Sequence, residues 1–202
     1  MSERQEQSVR RRALIEAALE SLADKGLGAV SVRDVAARAG VSPGLLRHHF
    51  GGFNNLLNEA YRYATGRVDA ALDAALAKAG DDAQDRMDAF LIASFAPSIA
   101  DRDLLAAWLA FWGLVRSDAG AAGIHAETYA AYRARIERLL SDLATARGTK
   151  VDARAGALGL SAMLDGLWLE LCLDPSTFSA SEAATTAKFW VDRFVGQGAQ
   201  RG

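Results

Sequence analysis

The sequence predicts an all-α protein of about nine helices. Ala is abundant, β-branched runs are scarce, and three of the 202 residues are proline, Pro43, Pro97 and Pro175. Apolar residues recur at helical spacing along the chain, and no run alternates with the period of two that a strand requires. Half of the residues are hydrophobic and 24% are charged, which suffices for one sizeable core or two small ones.

The first helix is predicted over residues 8–25. Leu14, Ala18 and Leu22 recur on one face of it. Gly26 ends it, because glycine readily adopts the positive φ that closes a helix. This helix is the first of a predicted three-helix N-terminal unit.

Two short helices complete that unit, at residues 32–39 and 43–50. Ser31, with Asp34 three residues later, is close to a capping box at the start of the first helix. Ser42 caps the second helix, and the proline that follows it has no backbone N–H to lose.

The turn between these helices, Ala39-Gly40-Val41-Ser42, is typical of a helix-turn-helix. Gly40 tolerates the positive φ of a sharp turn, and Val41 with Ala36 can fill the angle between the helices. The N–H groups at the start of the second helix can face a phosphate. That helix is short and rich in His and Arg, which suits a DNA major groove better than a core.

A long helix at residues 53–79 follows the Gly51-Gly52 break, and its length lets it join two domains. We predict a DNA-binding domain at residues 1–52 and a second helical domain at residues 53–202. The remaining helices are predicted at residues 83–96, 101–117, 121–147, 152–173 and 180–195, with a disordered tail at 196–202.

Several functional classes are not predicted. The sequence has no GxSxG, HExxH, CxxC or Walker loop, so we expect neither an enzyme nor a cofactor or metal site. Cys172 cannot form an internal disulfide and is expected to be buried in a reducing, cytoplasmic protein. The polar start lacks the apolar segment of a signal peptide. Residues 155–173 are the most apolar, but Asp165 and Glu170 argue against a membrane span.

The N-terminal unit resembles the DNA-binding domain of the tetracycline-repressor (TetR) family over about residues 10–57. The resemblance is carried by Ile15, by the run from Val35 to Leu46, by His49-Phe50 and by Asn55-Leu56-Leu57. It implies a homodimer in which the third helix of each copy contacts bases in double-stranded operator DNA. It also implies that Leu45, Leu46 and Phe50 are packing residues.

The resemblance implies a set of DNA contacts. Ser42 and His49 match phosphate-contacting positions, and Pro43 and Gly44 lie where bases are approached. The full candidate set is Arg33, Ser42, Pro43, Gly44, Arg47, His48 and His49.

Three positions depart from the family pattern. Arg47 and His48 stand where the family commonly has tyrosines, and Phe53 stands where a lysine commonly contacts phosphate, so one backbone contact is expected to be missing. Arg10, Arg11 and Arg12 could be either a phosphate-facing arm or a solvated surface.

The C-terminal part resembles the choline-responsive BetI branch of this family over about residues 80–195. The segments WLAFW, at 108–112, and LDGLWL, at 164–169, carry this resemblance. Ring faces attract cations and a carboxylate neutralises them, so we expect a pocket for a small-molecule effector, with quaternary ammonium or other organic cations as the candidate class. Its candidate residues are Trp108, Trp112, Tyr129, Tyr132, Asp165 and Trp168, although aromatic residues at helical spacing are also typical of a core.

The last two helices are candidates for pairing with a second copy. Small residues on one helix permit close approach, and the final helix carries a large apolar load. The candidate interface residues are Gly159, Ala162, Phe189, Trp190 and Phe194. The resemblance implies a four-helix bundle with the symmetry mate, whereas the same face could instead cover only its own core.

These features together predict a ligand-responsive transcriptional regulator, with a repressor that is released from DNA by its effector as the favoured form. Effector-assisted DNA binding remains open. The alternative is a helical adaptor that binds a protein instead of DNA.

Overall fold

The computed structural model describes residues 3–197, with side chains described for residues 5–196, and it confirms the all-α prediction. No strand occurs in this range. The helices are α1 (Glu3–Lys25), α2 (Val32–Arg38), α3 (Pro43–Phe50), α4 (Phe53–Lys78), α5 (Ala83–Ala93), α6 (Arg102–Val115), α7 (Ala119–Ala146), α8 (Ala153–Leu173) and α9 (Ala180–Gln197). The sequence predicts a disordered tail from residue 196, but residues 196 and 197 belong to α9, and the rest of the tail lies outside the described residues.

The largest differences from the predicted boundaries concern α1 and α5. Helix α1 begins five residues earlier than predicted, within a polar stretch. Helix α5 ends at Ala93 instead of continuing to residue 96. Beyond it, single turns replace the helix, as the Phe95 N–H donates to the Ile92 carbonyl at 3.2 Å. The ring of Pro97 disfavours helical backbone in the residue before it, so the helix unwinds ahead of the proline.

The chain folds into two compact units. The first comprises residues 1–67 and 102–126, and the second comprises residues 68–101 and 127–202. Helices α4 and α7 therefore each contribute residues to both units. The predicted boundary between residues 52 and 53 separates a DNA-binding domain from a second helical domain by function, and this functional boundary stays a prediction.

The core of the first unit forms where α1 packs against α6 and α2. Leu14, Ala18 and Leu22 are fully buried on the face of α1 that the sequence predicts. Tyr61 is also fully buried, with its ring stacked on Phe111 at a centroid distance of 4.5 Å. Such an aromatic pair adds about 0.5–1.5 kcal/mol beyond its buried area.

The second unit is built around α8 and α9, with α5 packed on α9. Gly156 lets α8 and α9 meet closely, because a Cβ at this position would lie 2.5 Å from the Phe194 ring. Cys172 is buried, as predicted, and its thiol donates to the Asp101 carbonyl at 3.9 Å. By length and composition alone, α8 could also cross a membrane, a test that core helices of soluble proteins pass as well.

Candidate functional site

The candidate nucleic-acid interface begins with the capped start of α2. The Ser31 backbone N–H donates to Asp34 Oδ2 at 3.0 Å, and the Asp34 N–H donates to Ser31 Oγ at 3.3 Å, which completes the predicted capping box. Lys25 Nζ, at the end of α1, donates to Asp34 at 2.6 Å. This lysine, together with Ser31, lowers the pKa of Asp34 to about 2. The charged carboxylate therefore ties α1 to α2.

The turn between α2 and α3 has the predicted backbone. Gly40 adopts a φ of 65°, in the left-handed region. The Val41 N–H donates to the Ala36 carbonyl at 2.9 Å, and Ser42 Oγ accepts from the Leu45 N–H at 3.3 Å. These bonds set the direction in which α3 leaves the turn.

Helix α3 has a buried face and an outer face. Leu46 is 1% exposed and Phe50 is 7% exposed, so both pack inward as predicted. The outer face is formed by Ser42, Pro43, Gly44, Arg47 and His48, all of which are exposed. Arg33 on α2 is exposed as well, and His49 is half-buried. The fold thus leaves six of the seven candidate DNA-binding residues at the surface of this unit.

His49 differs electrostatically from an exposed histidine. Partial burial lowers its pKa, and the nearby charges of His48, Arg11 and Arg10 lower it further. A neutral imidazole at pH 7 follows, which can donate one hydrogen bond from one ring nitrogen and accept one at the other.

The three consecutive arginines of α1, residues 10–12, all have partners within the protein, and Arg10 approaches Glu6 one turn earlier at 3.9 Å. The Arg11 guanidinium lies over the Phe50 ring at 4.9 Å and pairs with Glu59 at 2.8 Å. Arg12 pairs with Glu16 at 2.9 Å. These contacts give Arg11 a structural role behind the recognition helix, which the sequence did not reveal.

The six candidate effector residues divide between the two units. Trp108 and Trp112 lie on α6 in the first unit, and the Trp108 ring meets Tyr61 edge-on at a centroid distance of 5.7 Å. The Trp112 indole nitrogen is buried and has no hydrogen-bond partner among the described residues. Trp108 is thus part of an aromatic core, while Trp112 retains an unused donor.

The other four candidates belong to the second unit. Asp165 forms a hydrogen bond with Tyr129, and burial raises the pKa of Asp165 to about 6. Burial, followed by the charge of Asp165, raises the pKa of the Tyr132 hydroxyl. The indole N–H of Trp168 donates to the Ile99 carbonyl at 2.8 Å, which leaves only its ring for a ligand. The structure therefore brings Tyr129, Tyr132 and Asp165 together.

The candidate pairing residues also divide. Phe189 is 61% exposed, and Gly159 and Ala162 on α8 are exposed too. Trp190 and Phe194 stack on each other at 5.0 Å and lie against α8 of the same chain. Trp190 and Phe194 are thus half-buried against their own chain, and a Cβ at Gly159 would lie 3.2 Å from the Trp190 ring. Phe189 and Ala162 stay exposed.

Within residues 3–197, no group of three or more His, Cys, Asp or Glu residues could hold a metal ion. The first candidate site presents cations and N–H donors on α2 and α3, and the second presents rings with a carboxylate on α7 and α8.

Comparisons with known families identify both halves of the chain. Residues 14–60 match the family described as "Bacterial regulatory proteins, tetR family". Residues 83–196 match the family described as "BetI-type transcriptional repressor, C-terminal". These ranges contain the helix-turn-helix and the aromatic α6–α8 segments respectively.

Curated relatives match nearly the full length. The HTH-type transcriptional regulator BetI of Stenotrophomonas maltophilia is 33% identical, over 91% of this chain and 92% of the relative. The BetI regulator of Escherichia coli K12 is 30% identical, over 94% and 95%.

Solved structures agree with this fold. A putative transcriptional regulator from Pseudomonas aeruginosa PAO1 is 42% identical, covers 96% of this chain and 94% of its own, and superposes with a TM-score of 0.89. A putative regulator from Saccharomonospora viridis in complex with choline is 22% identical, with coverage of 92% and 96% and a TM-score of 0.77. The latter supports the fold alone.

Proposed function

Because the chain belongs to the TetR family of bacterial regulatory proteins and has a BetI-type C-terminal domain, we propose that it is a repressor that a small molecule releases from operator DNA. The family is one of transcriptional regulators and not of enzymes. The observation that carries the proposal is the outer face of α3, where Ser42, Arg47 and His48 are exposed above the buried Leu46 and Phe50.

In this proposal the outer face of α3 enters the major groove of the operator. The start of α3 approaches the bases, since Pro43 and Gly44 have little side chain to hold the backbone away. Arg33, Arg47 and His48 bind phosphates, and Ser42 and His49 complete the set. Each phosphate contact releases condensed counterions, so the affinity falls as salt rises.

We also propose that the protein acts in the cytoplasm as a homodimer joined through the surface around Phe189, Gly159 and Ala162. Phe189 on α9 is an exposed large hydrophobic residue, and the exposed Ala162 on α8 is small enough to permit close approach of a second helix. Two-fold pairing would set the two α3 helices about 34–36 Å apart, one turn of DNA.

The proposed effector is an organic cation, and choline is the first to test. Asp165 supports this assignment, since burial raises its pKa to about 6 although Tyr129 and the charge of Arg133 act to lower it, which indicates a poorly solvated carboxylate. A bound cation would stabilise the charged carboxylate further, and the rings of Tyr129 and Tyr132 would face it. Trp168 of the same unit is the other proposed contact, while Trp108 and Trp112, in the first unit, stay predictions from the sequence. The choline complex of the Saccharomonospora viridis protein motivates the choice of probe.

The effector releases the protein from the operator if it binds more tightly to a dimer whose α3 helices no longer match successive major grooves than to the DNA-competent dimer. The loss of DNA affinity then equals the differential affinity of the effector for the two states. An effector that prefers the DNA-competent state would instead strengthen binding.

The promoter fragment next to the coding sequence of this protein tests the proposal. Fluorescence anisotropy should show specific binding that weakens with salt and with added choline or a related quaternary ammonium. A protein–protein adaptor would not distinguish this fragment from a scrambled sequence, and that result would overturn the DNA-binding assignment.

A further inference from the structure

The first turns of α4 contain three asparagines, Asn54, Asn55 and Asn58. Asparagine is a weaker helix former than alanine, because its amide competes for nearby backbone groups. Asn58 lies four residues after Asn54 and three after Asn55, so it neighbours both on the helix surface, whereas Asn54 and Asn55 do not face each other. Their contacts, and not helix propensity, account for this composition.

Asn55 connects α4 to the recognition helix. Its Nδ2 donates to the Phe50 carbonyl, the last carbonyl of α3, at 2.9 Å. The connection between the two helices is only Gly51 and Gly52, and Gly51 adopts a φ of 72°. The end of α3 is therefore fixed to the first turn of α4.

Asn54 and Asn58 connect the same turn to α7. Asn54 Nδ2 donates to Asp118 Oδ2 at 3.2 Å, and Asn58 Nδ2 donates to Asp118 Oδ1 at 3.1 Å. Asp118 Oδ1 also accepts from the Ala121 N–H at 2.9 Å, so the same carboxylate caps α7. Hydrogen bonds from Ala121 and then Asn58 lower the pKa of Asp118, so this group is charged at neutral pH.

Gly120 shows how closely the two helices approach here. A Cβ at this position would lie 2.4 Å from Asn58 Nδ2, too close for any side chain. The Asn58 amide can thus occupy its present position beside the start of α7 because residue 120 has no side chain.

We infer that Asp118 is a positioning residue for operator binding: through Asn54 and Asn58 it fixes the orientation of α4, and through Asn55 that of the recognition helix. The inference rests on the proposed function. Helix α7 runs from this cap to the effector candidates Tyr129 and Tyr132. At 1.5 Å per residue, Tyr129 lies about 16 Å along the helix from Asp118.

Two variants separate this role from simple capping. Asp118→Ser keeps an N-cap oxygen for Ala121, because serine caps as well as aspartate, but it is too short to reach both asparagines. The double variant N54A/N58A removes the contacts from the other side and leaves the cap intact. Asp152→Ser is the matched control, since Asp152 caps α8 through the Ala155 N–H at 3.0 Å.

The measurement compares two DNA duplexes, the operator and the same operator with one base pair inserted between its half-sites. Wild type should bind the second duplex much more weakly, because the insertion shifts and rotates one half-site. Asp118→Ser and N54A/N58A should reduce this discrimination about tenfold, the scale of a typical coupling between sites. Combining them should add nothing further, since they break one connection. Asp152→Ser should discriminate as wild type does.

If Asp118 acted on stability alone, its substitution would weaken binding to both duplexes equally. Unchanged discrimination between the duplexes in either Asp118→Ser or N54A/N58A would overturn the inference. Thermal unfolding midpoints and sedimentation show that the compared dimers are folded. Failure of wild type itself to bind the promoter fragment would instead contradict the proposed function, on which this inference depends.

Discussion

Arg47→Ala tests the assigned direction of the recognition helix most directly. Arg47 is exposed in the middle of the outer face of α3, and the residue before it is buried. Its removal leaves the core untouched, so the free energy of unfolding should change by less than about 0.5 kcal/mol. Any loss of function then reports contacts with DNA.

The magnitude follows from the number of phosphates that are neutralised. Each phosphate contact contributes about 0.9 to the slope of log affinity against log salt. A dimer carries two copies of Arg47, so the slope should become shallower by about 1.8. Between 50 and 200 mM salt, wild type should therefore lose about 12-fold more affinity than the variant.

Anisotropy titrations of the promoter fragment across a potassium chloride series measure these slopes. Arg154→Ala is the matched control, because Arg154 is an exposed arginine at the start of α8 in the other unit. It removes the same charge from the protein and should leave the slope unchanged. An unchanged slope in Arg47→Ala, or an equal change in Arg154→Ala, would refute the outward assignment of this face.

Three further predictions test the local structure. Gly40→Ala should lose about 1–2 kcal/mol in urea unfolding, because φ is positive there, whereas Gly44→Ala should keep its stability and bind DNA less tightly. Asp165 has a pKa of about 6 in the folded protein, above its value in the unfolded chain, so its contribution to the free energy of unfolding falls as pH rises from about 4 to 6. Asp165→Asn should flatten this pH dependence and weaken the response to choline. An unchanged pH profile of stability would contradict the burial of this carboxylate. Gly156→Ala should crowd Phe194 and reduce the free energy of unfolding by about 1–3 kcal/mol, seen as a lower unfolding midpoint. An unaffected midpoint would refute the close contact of α8 and α9.

Helices and their caps could be predicted because their signals are local. Ser31 with Asp34, Gly40 and Ser42 each act within four residues, and each has the predicted geometry. The end of α5 was misplaced because Pro97 disturbs the backbone before it by an extent that sequence alone does not set.

Contacts between distant segments could not be predicted in the same way. Helical spacing places Asp165 and Trp168 on one face of α8, but it does not reveal that the Trp168 N–H binds the Ile99 carbonyl, 69 residues away. The stacking of Trp190 on Phe194 against α8 could not be predicted either, because the apolar residues of the final helix are equally typical of an interface. The asparagines of α4 offered a usable signal, since three poor helix formers at a helix start require an explanation.

Phe50 is the point at which the supports of the recognition helix converge. Its ring is buried beneath Arg11 of α1, its carbonyl accepts from Asn55 of α4, and Arg11 also pairs with Glu59 of α4. The other end of α3 is held by its own cap, Ser42, and is exposed. Helix α3 is thus held at both ends, by the turn from α2 at its N-terminus and by α1 and α4 at its C-terminus. The outer face that is proposed to meet the bases is therefore positioned by α1, α2 and α4 together.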